Sequence, residues 1–262
     1  MSNIKKIVVP FDFSEAGIKA LEYTMNFVGY QRPIKIFAVE VTVAPVSAKR
    51  EQESQQAFTK LLAKLDKRTK HRPELIFASG NLIETVLSLQ INQQFDLIIM
   101  GTMGDSEEDT ITNTSHLVLQ ANCPVITVPF STKAEVPKEI ALVLGKEEIE
   151  YPNVLSTLLD VARMFNARVH VLTIYKESVY KEKAIVESNE NTLEYYLEHF
   201  YTAHDFQKNE DVEKGIFDYI KEKEIDMLAI LPRNHAKKTQ ASDGRLTKLL
   251  TLHSTVPVLT LD

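Results

Sequence analysis

Four places in this 262-residue sequence carry residue types at spacings that could handle a charged ligand. The first is Val9-Pro10-Phe11-Asp12, where an apolar run ends on a carboxylate. That carboxylate could accept hydrogen bonds from a ligand's amino or hydroxyl groups. With Ser14 it could equally cap a following helix, and both readings stand at this point. The second is Met100-Gly101-Thr102-Met103-Gly104. Two glycines three apart let backbone N–H groups approach a phosphate closely, and they serve a tight turn equally well. The third is Asp105-Ser106-Glu107-Glu108-Asp109, directly after those glycines. Like charges at ~4 Å repel by about 1 kcal/mol in water and more near protein, so this run opposes a triphosphate unless a divalent metal bridges them. As a solvated acidic loop it needs no ligand. The fourth is a locally basic stretch, Arg233, His235, Lys237, Lys238 and Arg245, able to hold an anion by charge or to serve as a solvated or dimer-contact loop.

Other chemistries find no residues to carry them. There is no Walker loop, no Gly-x-Ser-x-Gly elbow and no His-Glu-x-x-His stretch. The seven His show no metal-ligand spacing, and His253 follows Leu246, Leu249 and Leu250 on one helix face, as a packed histidine would. Cys123 has no Cys-x-x-Cys partner and precedes a Pro-led apolar run, so it reads as structural. No catalytic residue and no metal ligand is expected. The net charge of −6 argues against binding of nucleic acid by the whole protein. No stretch reaches 18 apolar residues, and the run Ile7 to Pro10 is too short for a signal-peptide core. A single Cys suits a reducing compartment, so the expectation is a cytoplasmic protein with no membrane partner.

The elements that must position these residues come in two rounds. Ile7-Val8-Val9-Pro10-Phe11 resembles Ile140-Ala141-Leu142-Val143-Leu144, and Lys35–Val39 resembles Arg168–Leu172. Phe95–Ile99 resembles Ile225–Ala229, and Cys123–Thr127 resembles Val256–Thr260. Four landmarks keep their order and nearly their spacing, so the chain is a duplication joined near Ser131–Pro137, with domains at 1–132 and 133–262. In the first round strands are expected at Ile4–Pro10, Ile34–Val41, Leu75–Ala78, Asp96–Met100 and Val125–Val128. Ser14 is a plausible N-cap for a helix carrying Ile18, Leu21, Met25 and Val28; further helices are expected from Gln52 to about Thr69, at Leu82–Gln93 and at Thr112–Ala121. In the second round strands are expected near 139–144, 168–174, 203–207, 226–231 and 256–261, and 176–197 reads as an amphipathic helix over the sheet. The apolar share of 44% is enough for packed cores. Strict strand–helix alternation implies α/β units with parallel sheets and right-handed crossovers, whose ligands bind where the strand order reverses, beyond strands one and four.

The opening Ile7-Val8-Val9-Pro10-Phe11-Asp12-Phe13-Ser14, and the close Asp96–Gly104 followed by Cys123–Val128, resemble the universal stress protein family. The resemblance covers nearly the whole chain twice. It implies a tandem member with two doubly wound five-stranded sheets in the order 3-2-1-4-5 and flanking helices, forming an internal pseudo-dimer through the fifth strands; a homodimer is compatible with it. Nucleotide-binding members carry Gly-x2-Gly-x9-Gly-Ser/Thr after strand four. By that resemblance Gly101 and Gly104 would cradle phosphates, Thr112 and Thr114 would open the fourth helix at the anion, Asp12 would lie near base and ribose, and Val41 would give backbone contacts to the base.

The sequence departs from the pattern. In the first domain the spacer is three residues shorter and Ile111 stands for the third glycine, where a β-branched side chain crowds the phosphate path. In the second, Gly145 replaces the Asp, and Leu231 and Asn234 replace the first two glycines. Gly244 matches the third glycine, Arg245 replaces the Ser/Thr, and Thr247 remains. The expectation is a stress-response protein acting by binding, with at most one ATP site, in the N-terminal domain, and Mg only with ATP. Arg233, His235, Gly244 and Arg245 are the anion contacts open to the second domain. The alternatives are a weak nucleotide-hydrolysing enzyme and an interaction module with both sites inactive.

Overall fold

The computed structural model describes residues 3–65, 71–104, 112–133, 135–145, 149, 151–176, 183–231 and 244–262, with the backbone alone at 183–187. The chain divides into two compact units, Asn3–Val136 and Pro137–Asp262.

Unit one begins with β1 (Lys6–Pro10), whose residues Ile7 to Val9 are fully buried. A run with no polar face belongs in the middle of a sheet covered on both sides. It is followed by α1 (Glu15–Val28), β2 (Lys35–Thr42), α2 (Ala48–Lys64), β3 (Glu74–Ser79), α3 (Leu82–Gln93), β4 (Leu97–Thr102), α4 (Asn113–Gln120) and β5 (Val125–Pro129). The strands are ordered β3-β2-β1-β4-β5 and their pairings are parallel, so β1 and β4 are the neighbours at which the order reverses. One core gathers Val8, Val39, Ile98 and Val125 under Ile83 and Val86 of α3 and Leu117 and Val118 of α4. Each such side chain contributes about 1.5–3 kcal/mol by leaving water.

Unit two repeats the course with β6 (Glu139–Val143), α5 (Ser156–Phe165), β7 (Arg168–Tyr175), α6 (Lys183–Leu197), β8 (Tyr201–Lys208), α7 (Val212–Glu222), β9 (Met227–Ile230), α8 (Arg245–His253) and β10 (Val258–Thr260). The order is β8-β7-β6-β9-β10, again parallel. Both units are therefore the α/β doubly wound sheets the alternation implies.

The duplication extends to a single-atom clasp. Asp96 Oδ2 accepts the backbone N–H groups of Lys5 and Lys6, both at 2.8 Å. Asp226 Oδ2 accepts those of Lys138 and Glu139 at 2.9 and 3.0 Å. Each carboxylate fixes the start of strand four against the entry to strand one of its unit.

The boundaries differ from expectation where apolar periodicity is weak. α2 starts at Ala48 and not at Gln52, because Ser47 caps it by accepting the Arg50 N–H, while its first apolar anchor is Phe58. The described part of α6 starts at Lys183, and 177–182 of the amphipathic stretch lie outside the described residues. β10 is shorter than expected, Val258–Thr260.

Candidate functional site

The site positions of unit one lie in the connections after β1, β2 and β4. The β1–α1 connection is four residues, Phe11–Ser14. Asp12 is exposed, and its Oδ1 accepts the Ser14 N–H at 3.0 Å. Ser14 Oγ in turn accepts the Gly17 N–H at 3.1 Å, capping α1. A Cβ on Gly17 would lie 2.9 Å from Asp12 Oδ1, so the absent side chain leaves the carboxylate its place over the first helical turn. Both readings of Asp12 are thus compatible. One oxygen ties the turn, and the group stays exposed at the mouth of the switch point.

Between Asp12 and Ser14, Phe13 has φ 61°, a left-handed conformation that costs a bulky residue about 1–2 kcal/mol. Its ring packs edge-on against Phe11 at 4.7 Å. The sequence did not single out Phe13, and nothing in its residue type marks a positive φ.

Val41 is half-buried and pairs with Ala78 of β3. The Val39 carbonyl accepts the Phe11 N–H, and the Thr42 carbonyl accepts the Gly80 N–H. Strand alternation therefore turns the Val41 carbonyl toward the β1 side, beyond the place where β1 has ended at Pro10. That is the orientation a backbone contact to a ligand at the switch point requires.

The two glycines after β4 do different things. Gly101 is still in the strand, and a Cβ there would sit 2.0 Å from the Ala16 carbonyl oxygen in the first turn of α1. Its missing side chain is required by helix–strand contact, whether or not a ligand binds. Gly104 has φ 69°, in the left-handed region, and its N–H donates to Thr102 Oγ1 at 3.2 Å. Gly104 is therefore the true backbone turn of this loop. Ile111 and the acidic run 105–109 lie outside the described residues.

Thr112 is the N-cap of α4. Its Oγ1 accepts the Ser115 N–H at 3.2 Å, while Ser115 Oγ accepts the Thr112 N–H at 3.1 Å. This reciprocal box leaves the N–H groups of Asn113 and Thr114 as the first-turn donors with no carbonyl of their own helix behind them. The buried Thr114 donates from Oγ1 to the Gly101 carbonyl at 3.4 Å, which ties the start of α4 to the end of β4. The two threonines thus build the helix start, and the donors facing an anion would be backbone groups reinforced by the helix dipole.

In unit two the same places are built differently. The connection after β6 runs from Leu144 to Leu155 and contains a 3-10 turn, Pro152–Leu155, before α5 begins. The Leu144 N–H donates to the Leu172 carbonyl, repeating Phe11 to Val39. Ile149 is buried, and its N–H donates at 2.9 Å to Oδ1 of Asn189, a residue of α6 that is 2% exposed. This long connection stands where unit one has the short Asp12 turn. Gly244 has φ 70° and is the N-cap of α8, so the glycine that survives in unit two occupies a left-handed position. Arg245 is the first residue of α8. Arg233 and His235, the other expected anion contacts, lie outside the described residues. His253 Nδ1 sits 2.7 Å from Glu213 Oε1, linking α8 to α7, a packing role as expected of it.

Among the described residues no group of three His, Cys, Asp or Glu is arranged to hold a metal ion. No helix of the described residues is long and apolar enough to cross a membrane.

The fold and the switch-point loops define the class: two doubly wound α/β units of the kind that present ligands to the ends of strands one and four. Residues 3–129 match the model of the universal stress protein family, so unit one is a domain of that family. Among solved structures it is similar to a universal stress protein from Archaeoglobus fulgidus DSM 4304, at 16% identity and TM-score 0.70, with 97% of each chain covered. It is also similar to a putative universal stress protein from Pseudomonas aeruginosa UCBPP-PA14, at 14% identity and TM-score 0.66, covering 99% of this chain and 93% of that one. The cytoplasmic domain of a prokaryotic cation chloride cotransporter shares the fold at 9% identity and TM-score 0.54, covering 100% of this chain and 95% of that one. At these identities the likenesses speak to fold alone. No curated protein matches the sequence.

Proposed function

We propose that this is a stress-response protein that works by binding, with one adenine-nucleotide site, in unit one. The observation that carries the reading is the convergence of an exposed Asp12, an outward Val41 carbonyl, a left-handed Gly104 and the first turn of α4 on one end of the sheet. An adenine nucleotide asks for these four features: an acceptor for hydroxyl or amino groups, a backbone acceptor for the base, a turn that admits phosphate, and N–H donors for its charge. The fit is partial. Thr112 and Ser115 cap each other, so their side chains are already engaged, and the donors that remain are backbone groups of Asn113 and Thr114. When bound, the triphosphate would bring Mg²⁺ with it as the counter-charge to the acidic run that follows Gly104 in sequence.

Unit two supports no equivalent reading. It has no carboxylate at the Asp12 position, and a longer connection, Leu144–Leu155, stands where unit one has Phe11–Ser14. A second reading of the whole protein, an interaction module with neither site occupied, is favoured by one observation. Gly101 is fully accounted for by its contact with Ala16, so half of the glycine pair needs no phosphate to explain it. Turnover has less support, because among the described residues no nucleophile–base pair is placed at the site.

Titration calorimetry with ATP and Mg²⁺ separates the two. The nucleotide reading predicts saturable binding that Gly104→Val abolishes. No heat at millimolar ATP, with the protein folded, selects the interaction module.

A further inference from the structure

β2 reads Lys-Ile-Phe-Ala-Val-Glu-Val-Thr, and its one charged residue with a deeply buried side chain is Glu40, 8% exposed. Val39 and Val41 pack in the core beneath α3 and α4, so alternation turns Glu40 to the other face of the sheet, toward α2. Oε1 lies 3.8 Å from Arg50 Nη2 of α2, and Oε2 is buried with no hydrogen-bond partner among the described residues. A buried carboxylate oxygen without a donor is costly. The helix above it is weakly held. Of the 17 residues of α2 only Phe58 and Leu62 are buried, and none of Ala48–Ala57 is. Among the described residues, Arg50 to Glu40 is the ion pair that ties this half of α2 to the sheet, and the Arg50 side chain is still 63% exposed.

We propose that Glu40 and Arg50 form a latch that closes the N-terminal half of α2 onto the sheet and thereby sets the loop Val43–Val46 at the rim of the unit-one site. The planar guanidinium fork matches both carboxylate oxygens at once. Seating Arg50 fully on Glu40 would give Oε2 its missing donor and draw in Ser47, the N-cap of the same helix. The loop between is short, and Thr42 Oγ1 already donates to the Ala44 carbonyl at 2.8 Å, so motion of α2 reaches Val41 and Val43 directly. Val43, 95% exposed, is the apolar side chain this movement would carry toward a ligand. Glu40 is thus a positioning residue. Its effect on binding rests on the nucleotide reading, whereas the latch itself does not.

Hydrogen exchange on the full chain without nucleotide tests the latch, using Glu40→Gln, Arg50→Gln, the double variant and Glu40→Leu. A pair of this exposure predicts amide exchange of Ala48–Ala57 about fivefold faster in either single Gln variant, with no further gain in the double. Glu40→Leu should raise the melting temperature, because it removes a buried carboxylate oxygen that has no donor, and still speed exchange of the same amides. Unchanged exchange in both single variants, or two additive effects in the double, overturns the latch. Arg50 is exposed, so its variant remains informative if Glu40→Gln unfolds. In the presence of ATP and Mg²⁺, exchange of Ala48–Ala57 should slow in the unaltered chain, and Arg50→Gln should weaken binding several-fold. Absence of ATP binding to the unaltered chain defeats the nucleotide reading, and the nucleotide-free exchange rates then decide the latch by themselves.

Discussion

Gly101 is backed by Ala16: a methyl group on Gly101 would lie 2.0 Å from the Ala16 carbonyl oxygen and 2.5 Å from its carbon. Those are backbone atoms of a helix, so they cannot rotate aside. Gly101→Ala is expected to cost about 3 kcal/mol of unfolding free energy, at the upper end of overpacking. Urea denaturation measures it. A Gly101 variant that lost nucleotide binding would therefore report on the fold, and Gly104 is the cleaner probe of the site. Unit two carries Leu231 at the matching position, and there the connection Leu144–Leu155 delays the helix, so the approach that demands glycine is not repeated.

Asp12 can be dissected by charge. Asn keeps an oxygen for the Ser14 N–H and loses the negative charge, whereas Ala loses both. Asp12→Asn should leave stability within about 0.5 kcal/mol of the parent, and Asp12→Ala should lower it by about 1 kcal/mol, as for a lost cap. Nucleotide affinity should fall in both. Thermal melts beside calorimetry read the two effects separately. Weakened binding in Ala alone would assign Asp12 to the turn and not to the ligand.

The clasps at Asp96 and Asp226 should behave alike. Each carboxylate oxygen takes two backbone N–H groups, and hydrogen bonds to a charged acceptor contribute about 1.5–3 kcal/mol. Asp96→Ala and Asp226→Ala are each expected to lower stability by about 2 kcal/mol, measured by denaturant titration. A loss at only one would show that the units, though built alike, do not use the clasp alike.

Acid lability should have a source in unit two. Burial pushes the His204 imidazole down from 6.5 to about 4, with the Asp205 charge opposing the shift. Its ring nitrogen Nε2 lies 2.9 Å from Thr173 Oγ1, and the ring stacks on Phe206 at 4.1 Å. The folded state resists the proton that the unfolded chain accepts, so the unfolded state binds more protons between pH 6.5 and about 4. The contribution is full above pH 6.5 and is lost as the pH falls toward 4. After discounting for partial solvent exposure it is roughly 2 kcal/mol. His204→Gln, which can still bond to Thr173, should flatten the stability profile over that window.

Much of this architecture was legible in the order of residue types. The repeated apolar runs placed the ten strands, and Ser14 marked the start of α1, because buried parallel strands and N-caps both rest on local chemistry. The role of Gly101 was hidden, since its reason is a carbonyl some 85 positions earlier in the chain that only the fold brings near. The first turn of α2, Ala48–Glu51, was hidden for the opposite reason: none of its residues is buried, so no periodicity announces it. Glu40 did leave a signal, a lone carboxylate late in an apolar strand, but its partner Arg50 could be named only once the helix was placed. The connection Leu144–Leu155 and its tether to Asn189 depend on a contact 40 residues away and left no local trace.

The central claim is that an adenine nucleotide binds at the switch point of unit one and not of unit two. Amide shift mapping on the isotopically labelled full chain, titrated with ATP and Mg²⁺, tests it most directly. Binding at unit one predicts saturable shifts at Asp12, Gly104, Asn113 and Thr114, with Gly244 and Arg245 unmoved. Shifts confined to Gly244 and Arg245, or none at all in the folded protein at millimolar nucleotide, would contradict it.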